Sequence, residues 1–343
     1  MREKLPLSNW SESLPSPSFS VIIPVKRLNQ YISDNVAIMQ SQLEDGLEIL
    51  IVVDEYEVHD WKDPRITLMV SGKKLPGEKR DMAAQLAKNQ YLVFIDDDAF
   101  INHDFFAIAS EIVTTRRFEI FGGPGVTPKS NSSFQKASGA VYESSFLSYA
   151  AIRYRSIGTI KSVKDWPTVN LVVLRQTFLE LGGFGNKFWP GEDSKFCMKV
   201  VESGRKIWYV PNLIVFHHRR STFFEHTKQS GNYGFYRGLF ASNKDVNSTS
   251  PFFWLPTLFF VYLSLLVFAL PIFKDLSLVT LAPLISYLLL VLFSSAQALF
   301  RWGVRTACLV ILLIPSTHLA YGYRFAKGFF QGRTSNSRHF KAN

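Results

Sequence analysis

A run of five apolar residues followed by three carboxylates constrains this chain more than any other stretch. Residues 91–95 read YLVFI, and Asp96, Asp97 and Asp98 follow directly. Such a run is typical of a strand buried on both faces, and sheets of these strands bind ligands outside their carboxyl ends. Because adjacent acids repel one another and divalent cations prefer carboxylate oxygen, we predict a metal that holds a diphosphate here. The alternative is a solvated acidic turn in which Asp98 caps a helix.

Strands and helices alternate through the first third of the chain. Buried-strand patterns occur at residues 19–25 (FSVIIPV), 48–53 (EILIVV) and 66–70, and apolar residues recur at helical spacing in residues 29–43 and 77–88. This alternation predicts an α/β fold with a doubly wound, mostly parallel sheet. Asp54 follows the second strand, so we expect it at the same sheet edge as the three acids.

A basic segment leads into the second predicted helix. Residues 73–80 read KKLPGEKR, which places Lys79 and Arg80 near a helix amino terminus. The helix dipole and free N–H groups attract anions there, so the segment is a candidate anion site. A solvated basic face is the alternative.

A glycine-rich turn and an acidic pair form a second group of candidate residues. Residues 181–185 read LGGFG, and Glu192 and Asp193 open a helix predicted from about residue 194 to 202. The dipole favours an ionised carboxylate at this end, so we expect Asp193 to be ionised near neutral pH; simple capping is the alternative. The flat ring of Trp189 either stacks on a sugar or belongs to the core.

Two histidines and two arginines follow a predicted strand pair at residues 207–216. They are His217, His218, Arg219 and Arg220. A histidine after two acidic groups is a candidate third metal ligand, and neutral imidazole suits manganese better than magnesium. The arginines behind it could meet phosphate.

The last third of the chain predicts a membrane anchor. Residues 251–273 and 276–300 contain no charged side chain, and each run is long enough to cross about 30 Å of hydrocarbon. Lys274 and Asp275 mark the turn between them. A third run, residues 306–323, is less regular. By the positive-inside rule, the basic tail should lie in the cytoplasm. Three full spans would place it outside the cell. An interfacial or re-entrant third segment would keep it in the cytoplasm.

Composition narrows the partners. The formal charge of +10 and the pI near 9.5 indicate an anionic partner, such as a phosphorylated substrate or a lipid bilayer surface. We find no nucleic-acid-binding motif and expect no nucleic acid. Two cysteines exclude a disulfide framework. Residues 1–18 contain no signal-peptide pattern, so we predict a multi-pass protein of the cell (inner) membrane with its soluble part in the cytoplasm.

These motifs together resemble a family 2 glycosyltransferase. SVIIPV, EILIVVDE, GEKRDMA, YLVFIDDDA, FGGPG, LGGFG-x4-PGED and VFHHRRS occur in the family's order across roughly residues 19–240. The resemblance implies a GT-A fold and inverting transfer of a sugar from a nucleotide diphosphate sugar, with a UDP-sugar favoured. We predict a flexible tail at residues 1–18, a GT-A domain at 19–245, transmembrane helices at 246–325 and a basic tail at 326–343.

The resemblance also assigns roles to individual residues. Asp98, Asp96 and His217 would hold Mn²⁺ or Mg²⁺, with His218 a rival for the third position. Asp193 would be the catalytic base, with Glu192 positioning the acceptor and Trp189 beside it. The residues implied in nucleotide-sugar binding are Pro24, Val25, Asp54, Lys79, Arg80, Asp96 and Asp97.

One departure from the family pattern bears on the product. Processive members carry a Gln-x-x-Arg-Trp motif, whereas residues 229–233 here read QSGNY. Gln229, Tyr233 and Arg237 are similar to non-processive relatives, which implies transfer of single sugars to a lipid-linked or cell-envelope glycan. A polyprenyl-phosphate glycosyltransferase and a catalytically silent membrane scaffold are the alternatives.

Overall fold

The computed structural model describes residues 16–42, 46–144, 151–185, 188–269 and 278–339. The strands in this part of the chain are β1 (Phe19–Pro24), β2 (Leu47–Val53), β3 (Ile66–Val70), β4 (Tyr91–Ile95), β5 (Ala99–Ile101), β6 (Ile120–Gly122), β7 (Gly125–Val126), β8 (Lys161–Val163), β9 (Asn170–Leu174), β10 (Ile207–Tyr209) and β11 (Val215–His217). The helices are α1 (Gln30–Gln40), α2 (Pro76–Leu86), α3 (Phe105–Arg116), α4 (Ser133–Glu143), α5 (Arg175–Glu180), α6 (Glu192–Glu202), α7 (Phe223–Ser242), α8 (Leu255–Ala269), α9 (Leu278–Trp302) and α10 (Val304–His339).

The main sheet confirms the α/β prediction and adds antiparallel strands to it. Its strand order is β3-β2-β1-β4-β9-β6-β10-β8. The pairs β3–β2, β2–β1, β1–β4 and β6–β10 are parallel, as the alternating pattern predicts. Strand β9 runs antiparallel between β4 and β6, and β8 is antiparallel at the edge. The sheet is therefore mixed rather than purely parallel.

Helices cover both faces of this sheet. Val21 and Ile23 pack on one face together with residues of α1 and α3. Ile22 points to the other face, where residues of α2, α5 and α6 pack. Because both faces are covered, every residue of β4 and all residues of β1 except Ser20 are apolar.

A small second sheet brings distant parts of the chain to the carboxyl end of β4. Its strand order is β5-β11-β7, and the β11–β5 register places His217 opposite Ala99. Asn35 of α1 donates from Nδ2 to the Ala99 carbonyl at 2.7 Å, which fixes β5 against the main domain. The predicted strand pair at residues 207–216 is confirmed as β10 and β11.

The carboxyl-terminal helices fit the predicted membrane association. Within the described residues, three segments are long and apolar enough to cross a membrane: Pro251–Phe268, Leu278–Trp302 and Val304–Thr334. The predicted turn at Lys274 and Asp275 lies outside the described residues. Residues 326–339, where we predicted a tail, continue α10.

Candidate active site

Two carboxylates and one imidazole converge at the carboxyl end of β4. One donor atom each from Asp96, Asp98 and His217 lies within 4.8 Å of the others, and all three side chains are partly exposed. The Nε2 atom of His217 lies 3.0 Å from Oδ1 of Asp98. The three residues predicted as metal ligands therefore meet in space, although His217 is more than a hundred positions away in the chain.

Guanidinium groups balance the charge of these acids. Arg80 is almost fully buried and donates to Oδ1 of Asp96 at 2.6 Å and to Oε1 of Glu192 at 2.8 Å. Arg220 lies 3.1 Å from Oδ2 of Asp98. Arg80 thus joins the two acidic motifs that the sequence shows as separate groups.

The pKa values of the acids differ because their cationic neighbours differ. Burial alone would raise the pKa of Asp98, but its contact with His217 and the charges of the nearby arginines lower it to about 2. Burial raises the pKa of Asp97 to about 6, and the negative charges of Asp98 and Asp96 add to the increase. Asp98 is therefore ionised at neutral pH and suited to a cation, whereas Asp97 takes up a proton at a higher pH than Asp98 does.

The protonation of His217 decides how it could bind a metal. Arg219 approaches Nδ1 of this ring at 2.7 Å, and a guanidinium can only donate. Nδ1 therefore accepts, and the ring proton is on Nε2, facing Asp98. Two carboxylates and an imidazole would suit Mn²⁺, with His217 as its neutral tautomer: Arg219 would release Nδ1, and the ring proton would be on Nδ1 instead of Nε2. The His218 ring instead lies 2.6 Å from Asn131 and stacks on Tyr31, and it is not part of the group that Asp96, Asp98 and His217 form.

The sheet edge where we expect the nucleotide to bind, at the carboxyl ends of β1 and β2, holds an ion pair between Lys79 and Asp54. Lys79 is buried, and its Nζ donates to the Val25 carbonyl and to Oδ1 of Asp54, each at 2.5 Å. Glu78 accepts from the N–H of Leu75 at the start of α2. Lys79 and Arg80 point inward to carboxylates, so the solvated-face alternative is wrong for both. Pro24 and Val25 lie buried at the carboxyl end of β1, next to this pair.

Asp193 lies in the first turn of α6 and has an unusual pKa. Its Oδ1 accepts from the N–H of Ser194 at 2.7 Å. Burial raises the pKa of Asp193 to about 7, and the charges of Glu192 and Asp165 add to the increase. Our expectation that the helix dipole keeps this carboxylate ionised was wrong, because desolvation and two neighbouring acids outweigh the dipole. A pKa near 7 is the value that suits a general base at neutral pH.

Asp165 is a buried residue of the site that the sequence analysis missed. It accepts from Arg153 at 3.0 Å, from Arg237 at 2.8 Å and from Oγ of Ser194 at 3.1 Å. These partners lie up to 72 positions away along the chain, so no local pattern indicates the cluster. Arg237, which resembles a residue of non-processive relatives, thereby ties α7 to the helix that carries Asp193.

Trp189 lies at the surface. Its side chain is 52% exposed, so the core alternative is wrong. The ring precedes the acidic pair by only three residues and is open to a ligand, as expected for a stacking platform.

Comparisons with known proteins identify the family of this chain. The model of the Glycosyl transferase family group 2 matches residues 91–296, and that of Glycosyl transferase family 2 matches residues 20–156. The first match covers more than half of the chain. This α/β protein with an acid-rich sheet edge therefore belongs to the family 2 group of glycosyltransferases.

Solved structures are similar to this chain at low sequence identity. A mannosyltransferase from Pyrobaculum calidifontis, in complex with GDP-Man and Mn²⁺, is 14% identical, with a TM-score of 0.58; the match covers 92% of this chain and 87% of that one. GalNAc-T7 with UDP, GalNAc and Mn²⁺ is 13% identical, with a TM-score of 0.46, over 68% of this chain and 52% of that one. No curated protein sequence matches significantly. The first match shows the GT-A fold.

Proposed function

We propose that this protein transfers a single sugar, with inversion, from a nucleotide diphosphate sugar to a hydroxyl of a lipid-linked or cell-envelope glycan. The observation that carries the proposal is the convergence of Asp96, Asp98 and His217 with the Glu192–Asp193 pair, joined through Arg80. One part of this arrangement suits a metal and a diphosphate, and the other suits an acceptor.

The donor half would bind the nucleotide at the ends of β1 and β2. Asp96, Asp98 and His217 would hold Mn²⁺ or Mg²⁺, which when bound neutralises charge on the leaving diphosphate. Asp54, fixed by Lys79, would face the base or ribose above Val25. The similar mannosyltransferase binds GDP-Man and Mn²⁺, which supports a nucleotide diphosphate sugar. We favour a UDP-sugar as the donor. A GDP-sugar is the alternative, and the donor panel described below distinguishes the two.

The acceptor half would supply the base. Inversion requires the hydroxyl to attack the anomeric carbon opposite the leaving group, and a carboxylate must take its proton. Asp193 has the suitable pKa of about 7. Glu192 is buried and bonded to Arg80, which holds it in place to position the acceptor. Trp189 offers the exposed ring beside them.

The apolar helices would hold this site at the cytoplasmic face of the cell membrane. Helices α8 and α9 carry large exposed apolar side chains, among them Leu265, Phe268, Leu289 and Leu292. Such a surface is stable in lipid, which suits an acceptor whose lipid part stays in the bilayer.

A donor panel tests the proposal. The full-length protein is incubated with UDP-, GDP- and TDP-sugars, with Mn²⁺ or Mg²⁺, and release of the nucleoside diphosphate is measured. We expect one donor class to be hydrolysed, and Asp98→Ala to abolish the reaction. NMR of the first-formed transfer product should show an inverted anomeric centre. Transfer to polyprenyl phosphate alone would favour the polyprenyl-phosphate alternative, and neither binding nor hydrolysis of any donor would favour the silent scaffold.

A further inference from the structure

Helix α10 is covered by the catalytic domain where it begins. Val310, Leu313 and Ile314 of α10 form one apolar cluster with Ala137 and Val141 of α4. Helix α4 also belongs to the domain that carries the site, since Gln135 donates from Nε2 to the Arg219 carbonyl at 2.9 Å. The first half of α10 therefore lies against the soluble domain.

The second half of α10 is covered by α7. Thr317 of α10 lies 2.7 Å from Nε2 of the fully buried His226 of α7. Farther on, the two backbones touch: a methyl group on Gly234 would overlap the Tyr321 carbonyl, and one on Gly238 would overlap the Phe325 carbonyl.

The glycine contacts continue to the end of α7. A methyl group on Gly328 would overlap the Phe235 carbonyl, and one on Gly332 would overlap Oγ of Ser242. Both helices run in the same direction, so α7 and α10 lie side by side from Thr317 to Gly332. This contact covers sixteen residues of α10, or about 24 Å of helix, so the two helices must lie at the same depth relative to a membrane.

Helix α7 is unsuited to the interior of a bilayer. Arg237 pairs with the buried Asp165 at 2.8 Å, beside the candidate base, and Glu225 and Lys228 are exposed. If α10 crossed the membrane, α7 would cross with it and carry these charges to hydrocarbon depth. A charged side chain at the centre of a bilayer is strongly unfavourable, because hydrocarbon cannot solvate it. The packing thus opposes a spanning α10, although its length and composition permit one.

The free face of α10 has the character of a lipid-surface helix. Leu312, Tyr323 and Phe330 are 64%, 53% and 65% exposed, and Lys327 and Arg333 are exposed beside them. Tyr323, Lys327 and Phe330 are spaced by four and three positions, which places them on one side of the helix. Aromatic and cationic side chains on one helix face are typical of binding at the headgroup level.

This face also continues the apolar surface of the neighbouring helices. Tyr287 of α9 lies 2.9 Å from Nδ1 of His318, and Trp254, next to α8, packs its ring on Phe325 and Phe329. Helices α8 and α9 therefore flank α10 and lead from it into the lipid.

We propose that α10 lies along the membrane surface, with its Leu312–Tyr323–Phe330 face among anionic lipid headgroups, and does not span. The carboxyl terminus then stays on the side of the catalytic domain. This removes the conflict between three spans and a basic tail, and it does not depend on the chemistry proposed for the site.

Depth measurements on the full-length protein test this inference. The exposed Cys308 is replaced by serine, the buried Cys197 is kept, and a spin label is placed singly at 312, 323 or 330. In vesicles of phosphatidylglycerol and phosphatidylethanolamine, collisions with oxygen and with a water-soluble nickel chelate report the depth of each label. We expect three similar, shallow depths.

A spanning helix predicts a different profile. Its labels at 312 and 330 would differ in depth by about 27 Å, because 18 residues rise about 1.5 Å each. Labels at 261 and 268 on the exposed side of α8 serve as the control, since a helix that enters the bilayer must show a depth gradient. A gradient along α10 overturns the inference.

Two other results would also overturn it. Labels shielded from both reagents and broadened by a second spin would show that another copy of the chain covers this face. A cysteine at 341 that a membrane-impermeant maleimide reaches from the side opposite to a cysteine at 62 would place the terminus across the membrane.

Discussion

Glu192 and Asp193 are neighbours in the chain, yet the structure gives them different environments. Glu192 is buried against the guanidinium of Arg80, 2.8 Å away, whereas Asp193 has no cation in direct contact among its described hydrogen bonds and faces the charge of Asp165. Glu192 is thereby held in place by Arg80, whereas Asp193 is able to exchange a proton near neutral pH.

The first prediction tests the proposed role of Asp193 as the base. Asp193→Asn keeps the size of the side chain but cannot accept the hydroxyl proton, so kcat should fall by roughly 10²–10⁴. Donor affinity, measured by calorimetry, should change little because this side chain acts on the acceptor. Glu192→Gln should mainly raise the acceptor KM. If Asp193→Asn keeps most of its turnover while Glu192→Gln is inactive, the two roles are reversed.

The pH dependence of the reaction follows from the raised pKa of Asp193. Below about pH 7 this carboxyl is protonated and cannot act as a base, so kcat should fall about tenfold per pH unit and level off above pH 7. A kcat profile at saturating donor and metal measures this. A midpoint near pH 4 would show that the site does not perturb this group.

The same raised pKa should lower the free energy of unfolding as the pH rises, whereas it makes kcat rise with pH. Because the folded-state pKa of Asp193 is raised from 3.8 to about 7, its ionisation opposes folding as the pH rises from 4 to 7. Asp193→Asn should therefore stabilise the protein by at most about 4 kcal/mol at pH 8 and by nothing below pH 4. Thermal unfolding at both pH values checks this, and equal effects at both would contradict it.

At the level of helices and strands, the sequence was informative where one residue pattern decides the structure. The apolar runs within β1, β2 and β4 place these strands correctly. Helix α7 escaped prediction because glycines occupy the face that meets α10, so no apolar stripe marks its buried side. Strand β9 (NLVVL) is apolar, but its antiparallel insertion beside β4 depends on tertiary pairing.

In the candidate site, too, the sequence predicted some features and not others. Motif spacing predicted Asp96, Asp98, Glu192, Asp193 and His217, each at the end of a strand or the start of a helix. The contacts of Arg80 and Asp165 were not predictable, because each joins residues distant in sequence through a buried ion pair. The same contacts change the pKa values, so the protonation of Asp193 could not be read from its position on α6.

Two glycines of α7 give a matched test of its packing on α10. Gly234→Ala would place a methyl group into the Tyr321 backbone and should destabilise the protein by about 1–3 kcal/mol. A methyl on Gly231 meets the flexible side chain of Arg324 at 3.2 Å, so Gly231→Ala should be neutral or stabilise by up to about 1 kcal/mol. Thermal unfolding in detergent distinguishes them; equal effects would argue against backbone contact between these helices.

The whole molecule places a charged catalytic domain directly on apolar helices. Arg301 of α9 pairs with the buried Glu143 of α4 at 2.5 Å, and α7 connects α10 to Asp165. The site and the anchor are thus parts of one packed structure. An acceptor held in the membrane would meet Asp193 from the side of α7, while the nucleotide would enter over β1 and β2.

The most direct test of the account is calorimetric titration of UDP and GDP into the full-length protein, with and without Mn²⁺. We predict that the wild type binds one of them more tightly with Mn²⁺, and that Asp98→Ala loses this gain with unchanged thermal unfolding. Glu111→Ala, which removes an exposed acid on α3, should bind as the wild type does. Unchanged Mn²⁺-dependent binding by Asp98→Ala would contradict the proposed metal–diphosphate site.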